Sequence, residues 1–183
     1  MIEHSIYFFI LGCPKSGKTS FISAVNELSN PPVSRDSFLP IPPVDPALLQ
    51  VACFGRWTLQ NSVILYFVEV DSWQTLFKPD LPNSTVDISG FIVFIENKAE
   101  CIQIDKVILE QCRLNYPDVP RTIIVNKRNN SILNVNQISA ALNLQNDEIV
   151  FTCNTHEIAD VKAAIFFAQT NEKVKNFVIT VKP

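Results

Sequence analysis

Gly12-Cys13-Pro14-Lys15-Ser16-Gly17-Lys18-Thr19 constrains this chain more than any other stretch, because its G-x-x-x-x-G-K-[ST] spacing works only where a buried strand turns sharply into a helix. Both flanks meet that condition. Residues 5–11 are apolar, aromatic and β-branched, and Phe21, Ile22, Val25 and Leu28 then recur at helical spacing. Successive backbone N–H groups of such a loop, with the positive end of the following helix, make a cradle for a di- or triphosphate. Gly12 and Gly17 let the backbone bend close to the anion, Lys18 brings a charge to the β/γ oxygens, and Thr19 offers a hydroxyl to Mg²⁺. Pro14, Lys15, Ser16 and Ser20 complete the candidate binding set; Pro14 removes one N–H donor and Lys15 adds one charge. The alternative is a decayed loop that keeps the fold and holds no nucleotide.

A length of 183 residues fits one domain with a sizeable core. Apolar residues at 47% and charged residues at 18% point to a buried sheet and away from a disordered chain. The net charge of −3 supplies no basic footprint, which argues against nucleic acid as a partner. Five cysteines, Cys13, Cys53, Cys101, Cys112 and Cys153, stand apart with no C-x-x-C pair, so they read as reduced, mostly buried thiols. No run approaches the roughly 18 consecutive apolar residues of a membrane span. The N-terminus reads as strand, not signal peptide, and Val181-Lys182-Pro183 carries no prenylation box. Together these give the expectation of a cytoplasmic protein without direct membrane insertion.

Six of the twelve prolines, Pro31, Pro32, Pro40, Pro42, Pro43 and Pro46, fall in one stretch, so 29–47 is expected to be an extended loop. Runs 48–58 and 61–70 read as antiparallel neighbours joined through Leu59-Gln60. Residues 72–87 are broken again by Pro79 and Pro82, with Trp73, Leu76 and Phe77 as candidate exposed apolar groups. Beyond them strands at 88–95, 121–125 and 148–153 alternate with helices. Asn97 with Glu100, Asn134 with Gln137, and Asn154 with Glu157 have capping spacing. The expected helix faces are Ile104, Val107, Ile108 and Cys112; Ile138, Ala141 and Leu142; and Ile158, Val161, Ile165 and Ala168. Phe177, Ile179 and Val181 alternate with Val178, Thr180 and Lys182, which gives an extra strand in a C-terminal extension, 174–183, packed beside 148–153. The whole is an α/β, mostly parallel six-stranded sheet with helices on both faces, and ligand belongs beyond the carboxyl ends of its strands.

Four strand ends carry chemistry: the loop after Leu11, Asp71-Ser72-Trp73-Gln74 after Val70, Asn126-Lys127-Arg128-Asn129 after Val125, and Asn154-Thr155-His156 after Cys153. This order resembles the small GTPases over residues 5 to 169, within a domain of 1–173. Asn126-Lys127-Arg128-Asn129 is similar to their N-K-x-D with the acid replaced by an amide, and Asn154-Thr155-His156 stands where they carry S-A-K. A narrower resemblance runs through Cys53-Phe54-Gly55-Arg56-Trp57-Thr58-Leu59, Ile64-Leu65-Tyr66-Phe67 and Gln74-Thr75-Leu76-Phe77. It resembles the F-G-R-x-T-L … L-Y-L-F-G-T-P-G-Q-E-R-F run of bacterial MglA-like (mutual gliding-motility) and conservon-type GTPases. The resemblance implies a three-layer P-loop NTPase fold, GTP or GDP with Mg²⁺, and base contacts from Asn126, Lys127, Asn129, Thr155 and His156. It also implies a protein partner, of roadblock fold, at 29–47 and 72–87.

The departures fall on the switch positions. Trp73, or Gln74 under an alignment shifted by one, stands where the family has a Gly whose N–H swings onto the γ-phosphate, and Leu48 and Leu49 occupy the place of the switch Thr. Asp71, ending an apolar strand, reads as a Mg²⁺ holder through water or as the first residue of a turn. Gln74 reads as the residue that orients attacking water or as a solvated loop residue. Asn129 reads as a base contact that accepts with one atom and donates with the other, which suits xanthine better than guanine, or as a turn cap. Two functions follow: a nucleotide switch that hydrolyses GTP slowly or not at all, and a pseudo-GTPase scaffold that docks partners without turnover.

Overall fold

A computed structural model of the chain describes residues 4–29, 51–59, 63–70, 72–77, 88–96, 98–127, 134–146 and 148–170. Six strands, β1 (His4–Gly12), β2 (Val51–Thr58), β3 (Val63–Val70), β4 (Ile88–Ile95), β5 (Arg121–Asn126) and β6 (Ile149–Cys153), form one sheet in the order β2-β3-β1-β4-β5-β6. All pairings are parallel except β2 with β3, a hairpin in which the Leu59 N–H donates to the Val63 carbonyl at 2.8 Å. Among the described residues four helices, α1 (Lys18–Leu28), α2 (Ala99–Asn115), α3 (Val135–Ala141) and α4 (Ile158–Thr170), cover it.

Parity along the central strands sorts the core into two layers. Tyr7, Phe9 and Leu11 of β1 and Ile64, Tyr66 and Val68 of β3 pack with α2 and α3, whereas Ile6, Phe8 and Ile10, with Val63, Leu65 and Phe67, pack with α1 and α4. Ring pairs cross between strands in each layer, Tyr7 with Tyr66 at 5.1 Å and Phe8 with Phe67 at 5.5 Å between centroids. The sheet thus has helices on both faces, and β1 lies between β3 and β4 at the point where the strand order reverses, the place where open α/β sheets bind ligands. Among the described residues no helix is long and apolar enough to cross a membrane.

Local expectations fared unevenly. The reciprocal side-chain bonds of Asn134 and Gln137 cap α3 as the spacing required. At α2 the N-cap is Lys98 with no side-chain bond, and Asn97 lies outside the described residues. Near α4 the Asn154 side chain accepts from the His156 N–H at 3.2 Å, and the helix begins only at Ile158. Ile158 is consequently exposed, and Val161, Ala164, Ile165 and Ala168 form the buried face. The α2 face is also rotated from expectation: Ile104 and Val107 are exposed, and Cys101, Ile102, Asp105, Ile108, Leu109 and Cys112 are buried. Residues 73–77 form a 3-10 turn in which Leu76 is core and Trp73 and Phe77 are half-buried against it, so these three are not an open apolar face. The expected loop over 30–47 and the strand over 174–183 lie outside the described residues.

A candidate phosphate and cation site at the head of β1

The backbone between β1 and α1 is left-handed at three positions: Gly12 at φ 135°, Lys15 at φ 67° and Gly17 at φ 108°. At Gly12 a Cβ would sit 2.2 Å from the Phe94 carbonyl oxygen, and at Gly17 it would sit 2.1 Å from Asn126 Nδ2, so any side chain meets both strain and collision. Lys15 takes its left-handed conformation at a cost of about 1–2 kcal/mol, tolerated because the residues around it are pinned. The Lys18 ammonium donates to the carbonyls of Gly12 and Cys13, each at 3.1 Å, and folds back along the loop. Gly17 caps α1 with no side-chain bond, and the first turn of α1 carries no acid. The first N–H groups of that helix therefore face the loop with no acid of the helix's own first turn beside them.

Glu69, which sequence reading passed over, closes the site from β3. Its parity is that of Val63, Leu65 and Phe67, so it lies on the α1 side of the sheet, opposite Ile10 of β1. The carboxylate is 7% exposed; it accepts the Thr19 hydroxyl at 2.8 Å and the Cys53 thiol at 3.2 Å, and it lies 3.7 Å from Lys18 Nζ. Hydroxyl and carboxylate oxygens in contact form a donor set suited to a hard divalent cation. The available signal was an acid inside an otherwise apolar strand, on the face that looks at the helix after the loop. Asp71, the candidate chosen for ending that strand, lies outside the described residues. An open cleft of about 490 Å³ in front is lined by Gly12, Pro14, Lys15, Lys18, Glu69 and Gln74, among others. Gln74 is exposed on the 3-10 turn and its side chain meets the Ser72 hydroxyl, while Trp73 packs on Phe77 at 6.0 Å between ring centroids.

The other strand ends converge as expected, in part. Asn126 is buried and its Nδ2 donates to the Ser16 carbonyl at 2.8 Å, tying the end of β5 to the loop. Thr155 packs beside Gly17. Ser16 Oγ and Thr155 Oγ1 are buried with no hydrogen-bond partner among the described residues. The Lys127 ammonium lies 3.4 Å from Asp160, whose carboxylate also accepts the Asn154 N–H at 2.8 Å. That N–H first, then Lys127, holds Asp160 below the usual carboxylate range. His156 is exposed, Ser20 half-exposed, and Asn129 lies outside the described residues.

Two further groups grip the loop from α2. The Asp105 carboxylate, fully buried, accepts the Cys13 N–H at 2.8 Å, and its Oδ2 has no partner among the described residues. Cys13 is joined by a disulfide to Cys101, one helical turn before Asp105, with Cα atoms 5.5 Å apart. This corrects the expectation of five reduced thiols, and it explains the rotation of α2, whose buried face must include Cys101 and Asp105. Cys112 and Cys153 are buried outside any disulfide, and burial pushes both thiols up to about 12.

Burial, offset in part by the Cys13 N–H and by Lys18, raises Asp105 to about 7 from an ordinary 3.8. Because the folded value is the higher one, the stability linked to its proton is fully present below about pH 3.8 and is lost as pH rises through about 7, on the order of 4 kcal/mol in all. Asp105→Asn keeps an acceptor for Cys13 and cannot ionise. Its melting temperature relative to the parent should therefore climb steadily between pH 4 and 8; a constant difference over that range would show that Asp105 titrates normally.

No protein-family model matches the chain, and no curated protein is recognisably similar to it in sequence.

Proposed function

We propose that this chain is a guanine-nucleotide-binding, small GTPase-like P-loop protein, cytoplasmic, that acts as a switch or regulatory subunit through a protein partner at 29–47 and 72–87. The observation that carries the reading is the Lys18–Thr19–Glu69 cluster. Lys18 lies against the loop carbonyls, where a β- or γ-phosphate oxygen would replace Glu69 as the partner of its charge. Thr19 and Glu69 present the oxygens that would hold Mg²⁺, and Mg²⁺ would neutralise phosphate charge there. The bond from Asn126 to the Ser16 carbonyl supports base reading from the same rim, with Lys127 and Thr155 beside it. Asn129, by its amide, leaves guanine against xanthine as the open choice of base.

Slow hydrolysis follows from the 73–77 turn. Leu76 is buried, the Thr75 N–H and hydroxyl both bond the Ser72 carbonyl at 3.1 and 2.6 Å, and Trp73 lacks the freedom of Gly. A segment anchored this way cannot readily swing a backbone N–H and Gln74 onto a γ-phosphoryl, and these parts act only together. The same observation favours a second reading, a pseudo-GTPase scaffold that docks partners without nucleotide turnover.

The test is to denature purified protein, identify released nucleotide by ion-exchange chromatography, and follow single-turnover phosphate release from added GTP with Mg²⁺. Guanine nucleotide and a rate below about 10⁻³ s⁻¹, near that of an unaided switch GTPase, are expected. A faster rate would contradict the anchored turn, and exclusive adenine nucleotide would contradict the base reading.

A further inference from the structure

Cys13 is held by more partners than any other residue of the loop. Its N–H is bound by Asp105, its carbonyl accepts from Lys18 and from the Ser16 N–H at 3.2 Å, and its side chain is bonded to Cys101. Cys101 and Asp105 are one turn apart on α2, so a single helix face holds the loop covalently at one level and by a buried carboxyl acceptor at the next. The Lys18 ammonium takes its position from the same Cys13 carbonyl. Whatever fixes Cys13 therefore also fixes the cation that meets a phosphate. Cys112 and Cys153 are buried outside any disulfide and away from the Cys13 backbone.

We propose that Cys13 and Cys101 form a reversible redox latch on the phosphate loop, closed by exchange with a small-molecule disulfide, and that closing it tightens nucleotide binding. The proposal rests on the nucleotide reading above and adds the regulation of that site. In the closing reaction one cysteine thiolate attacks a sulfur of the small disulfide and expels one thiol. The second cysteine then attacks the mixed disulfide and expels the other, so the two protons and two electrons of the protein dithiol leave with two small thiols. Both cysteines are nearly buried, at 4% and 5% exposed, so exchange needs the loop to open, and a seated phosphate would hinder it. In a reducing compartment the latch rests open and an oxidative signal closes it.

The closed latch orders Cys13 before ligand arrives and removes that ordering from binding, worth about tenfold in affinity for one or two loop residues. By reciprocity, bound nucleotide stabilises the disulfide by the same factor, which lowers its reduction potential by about 30 mV.

The experiment uses nucleotide-free full chain, either oxidised with glutathione disulfide or reduced with a dithiol, and titrated calorimetrically with GDP and Mg²⁺. Titration of thiols in denaturant should count three in the oxidised chain and five in the reduced. The oxidised form should bind about tenfold tighter; Cys101→Ser should bind like the reduced form under both conditions, and Cys112→Ala, a free cysteine remote from the loop, should behave as the parent. Five thiols after oxidation, or equal affinity in the two forms of the parent, would overturn the latch while leaving nucleotide binding intact. Absence of binding in both forms would overturn the nucleotide reading and the latch with it.

Discussion

Glu148→Ala should unfold well below the parent, by about 3–5 kcal/mol, or roughly 6–20 °C in melting temperature for a chain of this size. The Glu148 side chain is fully buried just before β6, where it joins three elements. Arg121 of β5 donates from Nε at 2.8 Å and Arg113 of α2 donates from Nε at 2.9 Å, while the Gln145 N–H donates at 2.9 Å. Removing the acid takes from two guanidinium groups, 3% and 16% exposed, the buried carboxylate they share. Burial alone would push the Glu148 carboxyl up, but the Arg113 hydrogen bond, the Gln145 N–H and the two charges outweigh it and hold it below its ordinary 4.5. Its contribution is therefore present above about pH 4.5 and lost as pH falls through the lower folded value, opposite in sign to Asp105. Melts of parent and variant from pH 3 to 7 check both: the gap should close on acidification, and a gap that stays constant would mean that the Glu148 carboxyl is not held below its ordinary value.

The second large effect is expected at Glu69→Ala. In the parent, Mg²⁺ should tighten GDP binding by tenfold or more, since a charge-assisted carboxylate contact contributes about 1.5–3 kcal/mol. The variant should lose nearly all of that enhancement, to about twofold or less, and retain Mg²⁺-independent binding through Lys18. The readout is the ratio of Kd values in EDTA and in Mg²⁺. An unchanged ratio would assign the cation to other residues, Asp71 foremost.

Sequence pattern carried the sheet further than it carried the site. Residues 88–95 read as strand because an unbroken apolar run of that length is buried on both faces, and β4 spans Ile88–Ile95. Asn134 and Gln137 marked the start of α3 because a capping box is a local bond between neighbours in sequence. The α2 face could not be found that way: apolar periodicity discards an acid, and Asp105 is buried to serve the loop backbone 92 residues away. Glu69 escapes for the same reason: apolar patterning reads through an acid inside the run 61–70 and favours Asp71, which ends it. The Cys13–Cys101 bond joins residues 88 apart, a pairing that spacing alone cannot specify.

Every role proposed for this chain depends on whether the loop holds a nucleotide. Calorimetric titration of the nucleotide-free chain with GDP in Mg²⁺, beside Lys18→Ala, measures this directly. The expected result is one site with a Kd in the micromolar range or below, about 8 kcal/mol, weakened by about a hundredfold or more in the variant, because Lys18 is the cation positioned on the loop carbonyls. No binding at about 1 mM GDP, which is weaker than about 4 kcal/mol, or equal affinity in parent and variant, would contradict it.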